Sequence, residues 1–336
     1  MTHRKRAFTL VELLTVVAIL GLLIMMVMPA LGYARHYART VVCASNLRQI
    51  TTVMVGYSSQ WNGAIVGSVY SSGSRLVDPQ TMAPDPNYSN ANCPGVVQGF
   101  DWMSPVADMM GVPFDSGADT TARVNRFIAM TKVKVFTCPE NDVLATTFTG
   151  SGGPNAPVHL MPSYNTSLCF QTVQGTGTND YYSKLNFSGL NLGTYRPFLG
   201  QVGNGAEKIF IADGGRWYNG SGSNVTTNLS YLSTGSPGGS YAEYGPWSAY
   251  TRAYQRIGLD GRTFSMRHGL RDRGRVTPAF RMNVACFDGH VELLDGMQAS
   301  DPSRWVPSGT TINRSEAAGN TDVLNKYFPT TVITAR

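Results

Sequence analysis

Four side chains in the C-terminal half are suited to holding a cation or moving a proton, provided the fold brings them together. They are Asp213, His268, Asp288 and His290. Imidazole and carboxylate serve zinc, and carboxylate and carbonyl oxygens serve calcium. Their spacing does not force convergence. The chain has no His-Glu-x-x-His, no Gly-x-Ser-x-Gly and no phosphate-binding loop. A turn Asp is ordinarily a turn former. Structural roles are therefore the first expectation, with a cation at Asp213, His268 and Asp288 (calcium being the candidate) second. Catalysis comes last, so an enzyme is not expected; a hydrolase would need a Ser, Asp or Cys beside His268. The run Asn219 to Asn224 is rich in oxygen but lacks the carboxylates of a tight calcium loop. The five cysteines are Cys43, Cys93, Cys138, Cys169 and Cys286. An odd count leaves at least one unpaired within the chain, and no Cys-x-x-Cys marks a metal site. Cys286, inside a strand pattern, reads as a small buried hydrophobe.

The other charge that calls for an explanation is Glu12. Phe8 to Leu31 is a run of 24 residues, apolar except for Thr9, Glu12 and Thr15, and Leu13 to Ala30 carries no charge. That is long enough to cross a bilayer as a helix. The basic run Arg4-Lys5-Arg6 precedes it and predicts a cytoplasmic N-terminus. A carboxylate at the centre of a membrane helix costs roughly 2.5–3.5 kcal/mol. Neither a cleaved secretory signal nor a simple anchor has use for that cost. The net charge of +6 is partly this basic end, since removing Arg4, Lys5 and Arg6 leaves +3. No basic helix or aromatic–basic ladder accompanies it, and nucleic acid is not an expected partner.

The segment Arg6-Ala7-Phe8-Thr9-Leu10-Val11-Glu12-Leu13-Leu14 resembles the cleavage and methylation signature of type IV pilins and type II secretion pseudopilins. The resemblance implies a cut by prepilin peptidase between Ala7 and Phe8, then N-methylation of Phe8. Ala7 stands where the family usually has Gly. Glu12 becomes the fifth mature residue, where the family has its Glu, and Pro29 takes the place of the family's helix-kinking Pro. The role implied for Glu12 is to pair with the free amine of a neighbour's Phe8 in a filament. Without such a neighbour it would sit solvated at the headgroup boundary.

Beyond the membrane run, Tyr33, Tyr37, Cys43, Leu47, Ile50, Met54 and Tyr57 recur at spacings of three and four, with Thr40 in the one wider gap. This predicts an apolar helix face, with Arg35, Arg39, Asn46, Gln49 and Thr52 off it. One helix over 8–58 would span about 75 Å at 1.5 Å per residue. Pro29 and Gly32 are expected to bend or locally melt it, and Asn62-Gly63 to end it. The stretch Cys43 to Ile50, including Asn46, Leu47, Arg48 and Gln49, resembles a segment of a large pseudopilin-like bacterial family. So do Phe136-Thr137-Cys138-Pro139 and the combination of His268 with Asp288-Gly289. In that family about nine residues separate the His from the Asp-Gly, against 19 here. Export would place the cysteines in an oxidising space, and the two family-like segments make Cys43 and Cys138 the first disulfide candidates.

Elsewhere, Arg123 to Met130 reads as a short helix, and Lys132 to Thr137, Ser163 to Phe170 and Lys208 to Ala212 as strands. Residues 214–247 read as a long surface insertion. Asn283 to Leu294 reads as a hairpin turning on Asp288-Gly289 through a two-residue type I′ turn. Phe210 to Gly215 echoes that strand-turn unit. The expected fold is α+β, a long spine helix on an antiparallel head with large loops. The expected organisation is a leader (1–7), a membrane helix (8–31), its continuation (32–60) and a head (61–336). The expected role is a non-enzymatic pseudopilin-like subunit of the bacterial inner membrane, head in the periplasm. It would meet prepilin peptidase, other pseudopilins and an inner-membrane secretion platform. The alternative is an anchored carbohydrate- or peptide-binding module using Trp217, Tyr218, Tyr241, Tyr244, Trp247, Tyr250 and Tyr254.

Overall fold

A computed structural model describes residues 9–81, 93–141, 144–145, 159–160, 162–175, 184–185, 189–215, 242–248, 264–269, 280–317 and 321–336. Its first element is a single helix, Leu10–Gln60, of 51 residues. Thr9 and Glu12 open it with a capping box: the Thr9 hydroxyl accepts from the Glu12 amide at 3.2 Å, and Glu12 Oε2 accepts from the Thr9 amide at 2.9 Å. The helix runs without interruption through Pro29 and Gly32. The expected local melting does not occur, because a lone Pro removes one backbone bond from a helix with many turns on either side. After Gln60, Asn62 and Gly63 both take positive φ and reverse the chain.

The helix has two halves of opposite character. From Leu10 to Leu31 its large apolar side chains are exposed, Leu10 by 81% and Leu31 by 46%. From Thr40 onward one face is buried against the head by Cys43, Leu47, Ile50, Met54 and Tyr57. Fully burying each such side chain is worth roughly 1.5–3 kcal/mol. Tyr33 and Tyr37 continue that face by spacing, yet both are exposed, because the head buries the helix only from Thr40 onward. Asn46, expected off the face, is buried and hydrogen-bonded.

The face packs on an antiparallel sheet. Its central strand, Phe280–Cys286, pairs with Val291–Asp295, with Ile209–Asp213 and with His268–Gly269. Tyr164–Ser167 lies outside Ile209–Asp213, and Ala242–Glu243 joins as a parallel edge. Short helices Met103–Met109 and Thr120–Thr131 complete the wall around the spine. A second, three-stranded antiparallel sheet joins Leu190–Asn191, Thr311–Asn313 and Val332–Thr334. The arrangement is the α+β, pilin-like one expected.

Several local expectations change. Lys134–Phe136 is a 3-10 turn, not a strand. Its alternation is real, but it has no strand partner; its tie is Ser163 N–H donating to the Phe136 carbonyl at 2.8 Å. The strand of 163–170 is shorter than expected and gives way to the 3-10 turn Leu168–Phe170. The hairpin forms, but its loop has three residues: Cys286 N–H donates to His290 O at 2.9 Å, and Gly289 N–H donates to Cys286 O at 2.9 Å. Gly289 alone takes positive φ, at 90°. This is a type I turn followed by a left-handed glycine, in place of type I′. The echo between Asp213 and Asp288 fails as well, since Asp213 is fully buried in a strand and Asp288 is exposed at a tip.

Candidate functional site

Where the spine enters the head, a cluster of buried polar groups forms. Cys43 on the helix is disulfide-bonded to Cys138, their Cα atoms 5.1 Å apart. Cys138 opens a turn with Pro139 at its second position, closed by Asn141 N–H donating to the Cys138 carbonyl at 2.9 Å. Three residues along the helix, Asn46 Nδ2 donates to the Thr137 carbonyl at 3.1 Å and to the Tyr164 hydroxyl at 3.2 Å. Leu47 packs in the core, while Arg48 and Gln49 face outward. Thus the two family-like segments meet, and Asn46 and Cys43 are the residues through which they do so.

Beside the disulfide lies His268, 1% exposed, with its Nε2 3.1 Å from Asp213 Oδ2 and 3.9 Å from Cys138 Sγ. Asp213 is fully buried. Its Oδ2 also accepts from the Asn283 amide at 2.7 Å, while its Oδ1 has no hydrogen-bond partner. His268 Nδ1 lies 3.1 Å from the Thr40 hydroxyl. That hydroxyl spends its one proton on the His36 carbonyl, 3.1 Å away, so Nδ1 must be the donor. A proton must then also lie between Nε2 and Oδ2. The site thus holds a hydrogen-bonded imidazole–carboxylate pair, walled off from water. The Arg267 guanidinium beside it donates to the Ser163 carbonyl at 3.0 Å and the Gly214 carbonyl at 2.6 Å. Burial and the negative charge of Asp213 push the Tyr164 hydroxyl far above the usual phenol range.

A second polar layer faces the membrane side. His36 Nδ1 lies 3.1 Å from Glu140, Arg39 lies 3.6 Å from the same carboxylate, and Gly269 N–H donates to His36 Nε2 at 3.3 Å. His36, Glu140 and Gly269, with Pro29, Gly32 and Tyr33, line a cavity of about 390 Å³.

The proposed cation ligands are only partly together. Asp213 and His268 meet, whereas Asp288 sits at the hairpin tip. That is five positions along the strand from Asn283, or about 17 Å at 3.4 Å per residue. There Asp288 accepts from His290, Nδ1 to Oδ1 2.6 Å. Near that tip, Cys286 Sγ and Glu292 both take the Arg304 guanidinium. Burial pushes the Cys286 thiol up to about 12, in keeping with its reading as an inert core residue. Of the aromatic set, Tyr244 and Trp247 are buried, 7% and 1% exposed, and belong to the core. Trp217, Tyr218, Tyr241, Tyr250 and Tyr254 lie outside the described residues, as do Ala7, Phe8, the run 219–224 and most of 214–247. His36, Thr40, Glu140, Tyr164, Arg267 and Asn283 were not foreseen. The Thr9–Glu12 capping box was readable, as Thr-x-x-Glu ahead of an apolar run.

At the other end of the spine, one helix is long and apolar enough to cross a membrane. Residues 2–28 match the family model for the prokaryotic N-terminal methylation motif. No curated protein and no solved structure matches the chain. The motif implies processing by prepilin peptidase and assembly with other pilin-type subunits, and with the apolar helix it is consistent with a single-pass anchor. That motif, at the head of a long helix packed on an antiparallel sheet, supports a type IV pilin-like, or pseudopilin, assignment for the chain.

Proposed function

We propose that this protein is a non-enzymatic subunit of a short type II secretion or type IV pilus-like filament. It is cut between Ala7 and Phe8, methylated on Phe8, and packed through its exposed apolar half-helix. The observation that carries this reading is the methylation motif at 2–28, leading directly into an apolar helix that the head leaves uncovered. A neighbour's helix, or lipid, is what such a surface takes up. In a filament Glu12 pairs with the Phe8 amine of an adjacent subunit, which offsets the cost of its charge in lipid. The head lies on the periplasmic side, by the basic residues before the helix. The absence of turnover chemistry is supported by the burial of His268 and Asp213, and by the disulfide that occupies Cys43 and Cys138, the two sulfurs beside His268.

The test is intact mass spectrometry of the protein from native membranes, beside a strain lacking prepilin peptidase. The expected mass lacks Met1–Ala7 and carries one added methyl, and this species disappears without the peptidase. An uncut chain in both strains, or a cut beyond residue 30, would refute the assignment.

A further inference from the structure

The disulfide and the imidazole–carboxylate pair share one small, buried space. One ligand atom from each of Cys43, Cys138, Asp213 and His268 lies within 4.8 Å of the other three, and all four residues are buried. Two sulfurs, one imidazole nitrogen and one carboxylate oxygen make a zinc-type donor set. Groups that would orient these ligands are already in place. Thr40 holds His268 through Nδ1, which turns Nε2 inward so that it can serve as a ligand once its proton leaves, and the Asn283 amide holds Asp213. Asp213 Oδ1, fully buried and without a partner, is an acceptor the disulfide form leaves unused. Tetrahedral zinc at 2.3 Å from each sulfur needs the sulfurs about 3.8 Å apart, against about 2.05 Å in a disulfide. Separating them by under 2 Å is within the reach of side-chain rotation at these positions.

We propose that Cys43, Cys138, His268 and Asp213 form a buried zinc-class site whenever the two cysteines are thiols. Disulfide and metal are then alternative closures of the same junction between spine and head. The chain is synthesised as the dithiol, so the metal-binding form precedes the disulfide. The balance is simple. A dithiol reductant gives two electrons and two protons to the Cys43–Cys138 bond and becomes a disulfide itself. The ion then displaces both thiol protons and the proton between His268 and Asp213, and four ligands close around it. Oxidation runs the other way: an acceptor takes two electrons, the S–S bond forms and the ion leaves. The other donor cluster, Cys286, His290 and Glu292, is a poorer candidate, because the Arg304 guanidinium already occupies it.

The test uses the full chain in detergent micelles, in a background where Cys93, Cys169 and Cys286 are each replaced by Ala. Cobalt(II) is titrated into the oxidised and the phosphine-reduced protein, and then displaced by zinc. The reduced protein should develop thiolate-to-cobalt charge transfer and the strong visible bands of tetrahedral coordination, at one ion per chain, and the oxidised protein should not. His268→Ala and Asp213→Asn should each weaken binding by more than the roughly 10–100-fold typical of outer-shell changes. Bound zinc should also slow reformation of the disulfide by an added oxidant. Near-ultraviolet circular dichroism of each form reports folding. Absence of the cobalt spectrum in folded, reduced protein overturns the proposal. So does a spectrum that survives Cys43→Ser, or a reduced head that loses its tertiary signal and does not regain it with zinc. None of these outcomes depends on leader cleavage, so the site can fail while the filament assignment stands.

Discussion

Replacing Asp213 with Asn keeps the shape of the side chain and removes its charge, which makes it a sharp test of the buried pair. In the wild type a single oxygen, Oδ2, accepts from two donors: the Asn283 amide at 2.7 Å and His268 Nε2–H at 3.1 Å. An amide oxygen has lone pairs for both donors but brings no charge, and an amide nitrogen accepts from neither. If its oxygen takes that position, the imidazole keeps a proton opposite a neutral acceptor and its positive charge is uncompensated. If its nitrogen takes that position, it faces the Asn283 N–H, donor against donor. Either way one buried donor is poorly satisfied, which costs about 1–3 kcal/mol, and more when the group is charged. Breaking a buried ion pair by removing one partner costs about 3–5 kcal/mol. Asp213→Asn should therefore lose about 2–4 kcal/mol. At the size of this head that lowers the melting temperature by on the order of 5–15 °C. Unfolding can be followed by fluorescence of Trp102, Trp247 and Trp305, all of them buried, with the disulfide intact and a chelator present. The second leg of the cycle is His268→Leu. Once the imidazole is gone, Asn at position 213 can turn its oxygen to Asn283 without conflict. The double variant should accordingly recover about 1–3 kcal/mol relative to the sum of the singles. A shift under about 2 °C for Asp213→Asn, or strict additivity in the cycle, would refute the proton count on which this reasoning rests.

Three further outcomes can be checked with the same material. Cys43→Ser should destabilise the head by about 2–5 kcal/mol in denaturant titrations, because the disulfide closes a loop of 95 residues in sequence; reducing the wild type in chelator should cost a similar amount. Glu12→Ala removes half of the capping box and the charge within the helix, so amide exchange of residues 10–13 should accelerate in micelles, with a capping loss of about 0.5–2 kcal/mol, and filaments should fail to form in cells. Burial lowers the Lys208 ammonium from 10.5 to about 8. Between those values the unfolded chain holds the extra proton, so the stability contributed by this site is lowest below pH 8 and rises toward pH 10.5. Lys208→Met should gain on the wild type below pH 8 relative to its standing at pH 10, and a pH-independent difference between the two would contradict that.

The N-terminal helix of this molecule could be read from its residues because its determinants are local. An uncharged run and a spacing of three and four specify a helix without reference to anything else, and Cys43 to Tyr57 pack as that spacing requires. The reading failed where a neighbour decides. Tyr33 and Tyr37 have the same spacing, but the head leaves both exposed. Lys132 to Thr137 alternates like a strand but found no partner for a ladder. The pairing of Cys43 with Cys138 followed from two recognisable segments, whereas the histidine pair around it did not. His36, Thr40, Glu140, Asp213, His268 and Asn283 come from widely separated stretches, and hydrogen bonds such as Thr40 to His268 cross 228 positions. Their spacing carries no signal because the sheet, and not the chain, sets their separation. For the same reason Asp288 could be taken for a partner of His268 when it belongs to the far end of the hairpin.

The Cys43–Cys138 bond also determines how the molecule carries load. A pull between the membrane helix and the sheet can follow an all-covalent route from Cys43 to Cys138 and on to the strand at Tyr164. Residues 44–137, including the lower spine, its reversal at Asn62-Gly63 and the two short helices, are then off the line of tension. They behave as slack held in parallel with a short strut. The hydrophobic face between Leu47 and Tyr57 therefore does not have to resist extension to keep the head attached. With the sulfur bridge closed, the spine is tied covalently to the Cys138 turn across a Cα separation of 5.1 Å. With it open, the same tension falls on the packed helix and the turns that follow it.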